Sequence, residues 1–126
     1  MKKTVLIVDD NSDILDLFEI FLYKEYTVCT AQNGFDGLTV AQEKSPDCVI
    51  TDIMMPIMDG IKFLTRFHRL EGFKEVPVVA ATAFSATLQE EGLKNVGFSA
   101  VVSKPIGRQE LLDIVSNVLS QREQAQ

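Results

Sequence analysis

Asp52 is the residue at which chemistry is first sought. It closes a short apolar, β-branched run, Val49-Ile50-Thr51, and a loop containing Pro56 follows it. A run of this length bounded by turn residues reads as a buried strand. Asp52 then falls at the strand's carboxyl end, where open parallel sheets have their binding crevices. Three more apolar runs end in polar groups: Val5 to Val8 in Asp9-Asp10, Val76 to Thr82 in the threonine itself, and Ala100 to Ser103 in Lys104. Parallel strands bring all of these ends to one edge. Three carboxylates in one crevice raise one another's pKa unless a cation compensates. A hard divalent cation with oxygen ligands does so; magnesium fits best, with manganese as the alternative. Such an ion keeps waters and leaves room for a phosphoryl oxygen, while Lys104 adds a compact positive charge and Thr82 a hydroxyl donor. The set suits phosphoryl transfer, in which positioning and charge neutralisation do most of the catalysis. Asp52 is the nucleophile in this scheme and forms an aspartyl phosphate.

The elements that must position these groups alternate along the chain. Val5 to Val8 is a continuous apolar run, as a central parallel strand covered on both faces requires. Asn11 or Ser12 caps the helix that follows, and Ile14, Leu17, Phe18, Phe21 and Leu22 form its apolar face. Val28 to Ala31 is a weaker strand, more polar and so nearer an edge. Asn33-Gly34 marks a turn, and Phe35 to Lys44 reads as a helix stopped before Pro46. Cys48 to Asp52 is the third strand, and Phe63, Leu64, Phe67 and Leu70 give the next helix its face, with Gly72 as its stop. Val76 to Thr82 is the fourth strand, Ser85 to Val96 a weaker helix ended by Gly97, and Ala100 to Ser103 the fifth strand. Leu111, Leu112, Val115, Val118 and Leu119 mark the last helix, and Gln121 to Gln126 is polar. Strand then helix, five times over, implies an α/β chain with a parallel sheet and right-handed crossovers, helices lying on both faces.

The pair Asp9-Asp10, the run from Asp52 through Met54, Pro56 and Asp59 to Gly60, Thr82-Ala83 and Lys104-Pro105 together give the chain its resemblance. In this order, at successive strand ends, they resemble the receiver domain of two-component response regulators over residues 3 to 120. The resemblance implies a flavodoxin-like, doubly wound five-stranded parallel sheet in the order 2-1-3-4-5, with five helices. Residues 1–120 would be the receiver domain and 121–126 a polar tail or linker stub. It also implies that Asp52 accepts a phosphoryl group from a phosphohistidine on a sensor histidine kinase or a phosphotransfer protein. Asp10 and Asp52 would bind magnesium directly, Asp9 through water, and Met54 through its backbone carbonyl. Thr82 and Lys104 would hold phosphoryl oxygens. Movement of Thr82 and its loop would reshape the face made by the fourth helix, fifth strand and fifth helix, for a downstream effector that the sequence does not identify.

Two features depart from the family pattern. Val101 stands where a switching aromatic is usual, so output must depend on loop movement or other side chains. By the resemblance, Met54 and Phe84 occupy two positions that flank the phosphoryl site in the family, and both are large and apolar. They are expected to hinder the attacking water and lengthen the lifetime of the phosphoryl group.

Other residues carry plainer readings. Asp59, before Gly60 at a helix entry, is a cap rather than a further acid. His68, the only histidine, is an ordinary half-exposed side chain on a helix. Met54, Met55 and Met58 are loop packing, because hard carboxylates dominate nearby and a soft-metal site does not fit them. Cys29 and Cys48 match no zinc or redox spacing and read as small core residues. Gln89, Glu90, Gln109 and Asp113 outline an exposed face for partners, although charged faces are usually just solvated.

Composition bounds the function classes. The chain has 126 residues, 46% hydrophobic and 24% charged, which is one ordinary globular domain. A formal net charge of -6 argues against direct nucleic-acid binding. The apolar run after Met1-Lys2-Lys3 stops at Asp9, too soon for a secretion signal, and no window spans a bilayer, so a cytoplasmic location without membrane insertion is expected. A magnesium-dependent aspartyl-phosphate phosphatase is one alternative. It would carry a second acid two residues after the nucleophile, where this chain has Met54. A flavodoxin-like redox module is opposed by Asp9 and Asp10, which repel a phosphate at the first strand's end. A phosphorylation-independent adaptor is a further alternative. A self-phosphorylating and slowly self-dephosphorylating switch, not a turnover enzyme, is the favoured function, whether stand-alone, a relay intermediate or part of a longer regulator.

Overall fold

The computed structural model describes residues 2–83 and 87–124, the side chains of residues 87–89 excepted. Five strands alternate with five helices: β1 Thr4–Val8, α1 Ser12–Leu22, β2 Thr27–Ala31, α2 Gly34–Lys44, β3 Cys48–Thr51, α3 Gly60–Arg69, β4 Val78–Thr82, α4 Thr87–Val96, β5 Ala100–Ser103 and α5 Arg108–Gln124. All strand pairs are parallel, in the order β2-β1-β3-β4-β5. The doubly wound α/β fold expected from the alternation is therefore present, with the most polar strand, β2, at an edge.

Side-chain alternation divides the core between the two faces of the sheet. Val5 and Ile7 of β1 point with Ile50, Val79 and Val102 toward α1 and α5. Their neighbours Leu6 and Val8 point with Val49, Val78 and Ala80 toward α2 and α3. Strands buried on both faces must be largely apolar, which is why β1, β3 and β4 carry a threonine only at one end and lack the polar alternation of a half-exposed strand. Phe63 and Phe67 stack at 5.8 Å between ring centroids and are fully buried beneath α3. Truncating either to alanine should destabilise the fold by about 3–5 kcal/mol.

Several boundaries differ from the sequence reading. In α1 the buried residues are Leu15, Phe18 and Leu22, whereas Leu17 is 40% exposed. At 100° per residue Leu17 turns away from the stripe that Leu15 and Phe18 define. β3 is one residue shorter than expected, ending at Thr51, although the Asp52 amide still donates to the Val8 carbonyl at 3.0 Å. β4 starts at Val78, after Pro77, which has no amide to place in the ladder. α3 stops at Arg69 with Leu70 as its cap, so Gly72, at φ 90°, lies in the following turn and does not end the helix. Gly97, at φ 132°, does end α4, its amide bonding back to Leu93 and Lys94. The Ser85 end expected for that helix lies outside the described residues. α5 continues to Gln124, where Arg122 donates to the Asp47 carbonyl at 3.3 Å and Glu123 pairs with Lys3 at 3.3 Å.

Candidate functional site

The register fixes which groups meet. Ala31, Val8, Thr51 and Ala80 lie side by side across the sheet. One residue beyond this row, the Asp9 amide donates to Ala31 and the Asp52 amide to Val8, at 3.1 and 3.0 Å. On the next rung across, Thr82 pairs with Ser103, and the Lys104 amide donates to the Thr82 carbonyl at 2.8 Å. Asp9, Asp52 and Lys104 thus project from backbone already held by the ladder.

Carboxylate oxygens of Asp9, Asp10 and Asp52 all lie within 4.8 Å of one another. Asp9 is buried, at 2% exposure, and Asp10 is exposed. The Lys104 ammonium sits 2.6 Å from Asp9 Oδ2 and 3.5 Å from Asp52 Oδ2. Asp9 Oδ1 accepts the Asn11 amide at 2.9 Å, and Asn11 in turn caps α1 through the Asp13 amide. The first helix is therefore attached to the acid pair that precedes it.

Asp52 is held at several points. Its Oδ1 accepts the amides of Ile53 at 2.7 Å and Met54 at 3.4 Å, which leaves Oδ2 toward Lys104. Its backbone carbonyl accepts the buried Thr51 hydroxyl at 2.9 Å. Burial pushes the Asp52 carboxyl above the usual range; Lys104 opposes this, Asp9 reinforces it, and the two amides oppose it. The balance stays upward, the state expected of a carboxylate crowded by a second acid and only partly neutralised.

Gly60 holds the other end of the loop. Its amide donates to the Ile53 carbonyl at 2.9 Å, and a Cβ at this position would collide with the Asp52 carbonyl and lie 2.9 Å from the Ile53 Cα. Only glycine permits that approach. Thr51 and Gly60 are positioning residues that sequence reasoning missed, having treated one as a strand residue and the other as a helix entry. Asp59 caps α3, as expected, by accepting the Lys62 amide at 2.9 Å.

Other sequence-predicted residues fall as follows. Thr82 ends β4 and is buried, at the rim of an apolar groove of about 440 Å³ that Ile53, Met54, Ile61, Leu93 and Val96 also line. The Met54 side chain is 61% exposed. Phe84 lies outside the described residues. Val101 is half-buried on β5, opposite Ala80. His68 Nε2 lies 2.9 Å from the Val76 carbonyl, a contact within the fold. Met55 and Met58 are packed in the core, and Cys48 is so buried that its thiol is pushed up to about 12. Glu90 pairs with Lys94 at 3.4 Å, and Gln109 bonds to Asp113 at 2.9 Å. No helix among the described residues is long and apolar enough to cross a membrane.

The family model of the response regulator receiver domain matches residues 5–116. The chain belongs to this family. The polar-differentiation response regulator DivK of Brucella anthropi is 30% identical over 120 residues, covering 94% of this chain and 98% of that relative. Among solved structures, the chemotaxis protein CheY4 of Vibrio cholerae superposes with a TM-score of 0.88 at 28% identity, covering 94% of this chain and 99% of that one. A CheY-like receiver domain protein from Methanospirillum hungatei gives 0.89 at 26% identity over the whole of both chains. This receiver is thus a response-regulator domain with an acidic cluster consistent with a phosphoacceptor site.

Proposed function

We propose that Asp52 accepts a phosphoryl group from a phosphohistidine on a histidine kinase or phosphotransfer protein, in a magnesium-dependent reaction. The observation that carries this is the convergence of Asp9, Asp10 and Asp52 on one point, with Lys104 between two of them. Three carboxylates with one ammonium leave an excess of negative charge and a surplus of hard oxygen ligands, which suits a divalent cation such as magnesium. Asp9, Asp10, Asp52 and the Met54 carbonyl would hold that ion, which when bound neutralises charge on the incoming phosphoryl oxygens.

The chain's own residues do the rest. The Ile53 and Met54 amides fix Asp52 Oδ1, so the rotamer is set before the donor arrives. A carboxylate oxygen of Asp52 bonds to phosphorus as the P–N bond of phosphohistidine breaks, and the freed imidazole nitrogen takes its proton from water. Lys104 shifts from the carboxylates to a phosphoryl oxygen, and the Thr82 hydroxyl donates to another. That change at the ends of β4 and β5 would alter the α4-β5-α5 face presented to an effector. The chain acts as a cytoplasmic switch and not as an enzyme on external substrates.

Incubation with acetyl phosphate and Mg²⁺ followed by intact-mass measurement tests the assignment. One phosphoryl adduct is expected on the native chain and none on Asp52→Asn. An adduct retained by the variant would overturn it. Absence of turnover on a generic phosphomonoester separates the switch from a phosphatase.

A further inference from the structure

Among the described residues, three polar side chains are buried: Asp9, Thr51 and Thr82. Asp9 lies in the acidic crevice and Thr82 at the rim of the apolar groove beside it. Thr51 is 0% exposed and sits between Val8 and Ala80, on the central strand of the sheet. Valine would fill that space with the same β-branched shape, so packing does not call for the hydroxyl. Burying a hydroxyl costs free energy unless it is hydrogen-bonded. This one donates to the Asp52 carbonyl at 2.9 Å.

The Asp52 carbonyl and the Ile53 amide belong to one peptide unit. That unit is planar, and its two polar groups point in opposite directions. A bond that pins the carbonyl therefore aims the amide, and this amide is the one 2.7 Å from Asp52 Oδ1. The next peptide repeats the arrangement. Its carbonyl, on Ile53, accepts the Gly60 amide at 2.9 Å, and its own amide, on Met54, lies 3.4 Å from the same Oδ1. Between these anchors the chain turns through Ile57, at φ 72°, to reach Gly60. Both donors to Oδ1 are thus held from behind, the closer one by a side chain. A hydrogen bond accepted at a carbonyl also polarises the amide of the same unit, so the two bonds strengthen one another.

We infer, resting on the phosphoacceptor reading of Asp52, that Thr51 is a positioning residue that gives the two carboxylate oxygens separate roles. Oδ1 is occupied by the amides that Thr51 and Gly60 hold in place. Oδ2 faces the Lys104 ammonium at 3.5 Å and is the oxygen left to attack. In the transfer step a lone pair on Oδ2 forms the O–P bond as the P–N bond breaks. The bonding pair stays on the imidazole nitrogen, which takes a proton from water, and Oδ1 becomes the carbonyl oxygen of the acyl phosphate. Without the Thr51 hydroxyl the Asp52–Ile53 peptide is free to tilt, and the carboxylate turns with it. A displacement of about 1 Å at a reacting atom can slow a reaction about a hundredfold, so even a partial loss of alignment is measurable.

Three variants separate the hydroxyl from the packing. Thr51→Val removes the hydroxyl at nearly constant shape, Thr51→Ser keeps it and loses a methyl, and Thr51→Ala loses both. Labelling by acetyl phosphate with Mg²⁺, followed by intact mass, should be slower by about fivefold or more in the valine and alanine variants, and within about twofold of native in the serine variant. The serine variant should nevertheless melt below the native chain, because its lost methyl leaves a gap in the core. Rates and stabilities then fall in different orders, which a merely structural role would not produce. Amide proton spectra recorded without magnesium supply a second readout. The Ile53 proton should move upfield in the valine and alanine variants and return in the serine variant, while the Asp36 amide, bonded to Asn33, should stay put throughout. Native labelling rates in the valine variant overturn the inference, as do a serine variant as slow as the alanine one, or an unmoved Ile53 proton. Should Thr51→Val fail to fold, the comparison of serine with alanine decides. Failure of the native chain to be labelled at Asp52 by acetyl phosphate overturns the phosphoacceptor assignment instead, and that result is read before any Thr51 variant is made.

Discussion

The Lys104 ammonium lies 2.6 Å from Asp9 Oδ2, joining the end of β5 to the end of β1 across the two strands between them. Both side chains are nearly buried, at 14% and 3% exposure. Removing one partner of such a pair strands the other charge in a poorly solvated place, which costs about 3–5 kcal/mol. Lys104→Met should therefore lower stability by about 3 kcal/mol in urea melts without divalent ions, and should strongly slow labelling by acetyl phosphate. A variant as stable as the native chain would show that the pair contributes nothing net.

Asp52 titrates in the opposite sense to most paired carboxylates. Its pKa is raised in the fold, chiefly by burial. Between the ordinary carboxylate range and the raised value the folded state binds more protons than the unfolded one, so stability falls as pH rises through that window. Asp52→Asn should then melt higher than the native chain at pH 7 in the absence of magnesium, and the gap should close as pH falls toward 4. Melting curves at both pH values, with a gap that stayed constant, would contradict this.

Magnesium should stabilise the native chain by mass action. At a free concentration one hundred times its dissociation constant the gain is about 2.7 kcal/mol. Asp10 is the exposed member of the acidic group, so Asp10→Asn removes a ligand without leaving a buried group unpaired. Thermal melts across a MgCl₂ titration should show that variant responding only at much higher concentration. Equal responses would mean that the ion binds elsewhere.

Gly60→Ala should disturb the site from behind. The added carbon would collide with the Asp52 carbonyl, and backbone there has little room to yield. Destabilisation of about 1–3 kcal/mol is expected from such overpacking. Slower phosphorylation should accompany it even at temperatures where the variant is fully folded. Normal labelling kinetics in a folded variant would show that the loop relaxes without moving Asp52.

Met54 and Phe84 are expected to lengthen the lifetime of the phosphoryl group. Met54 is exposed beside the crevice. Met54→Asn combined with Phe84→Glu should admit and orient water, shortening the aspartyl phosphate half-life several-fold in the presence of magnesium. An unchanged decay rate, followed by intact mass over time, removes the proposed hindrance.

Much of this fold was legible in the residues because each strand carries its own ending. The run from Val5 is uniformly apolar and the run from Val49 is broken only by Thr51, as a doubly covered strand requires, and an acid closes each. The order of strands is not contained in any one segment; it came from the resemblance and agrees with the observed pairing. Harder to see were features made by backbone. Thr51 acts through its hydroxyl on the neighbouring carbonyl, and its type alone says only that it suits a strand. Gly60 looks like a helix entry, and its contact with Asp52 depends on a loop closing on itself. Leu17 shows the same limit, since a helical stripe can be drawn through either of two phases until packing selects one. The left-handed geometry at Ile57 has no sequence signal, because nothing about isoleucine favours it.

The amides of Asp9, Asp52 and Lys104 are each spent on a neighbouring strand. Hydrogen exchange at those three positions therefore reports when the crevice comes apart, and they should exchange together, as a unit of the sheet's edge. It also means that exposed positions beyond them, such as Asp16 and Ile20 on α1, can change without loosening those bonds. Exchanging those exposed residues while Leu15, Phe18 and Leu22 stay in the core would change which molecules dock without moving the acids, so a chain of this design can be readdressed to another pathway while its reactive centre stays as it is.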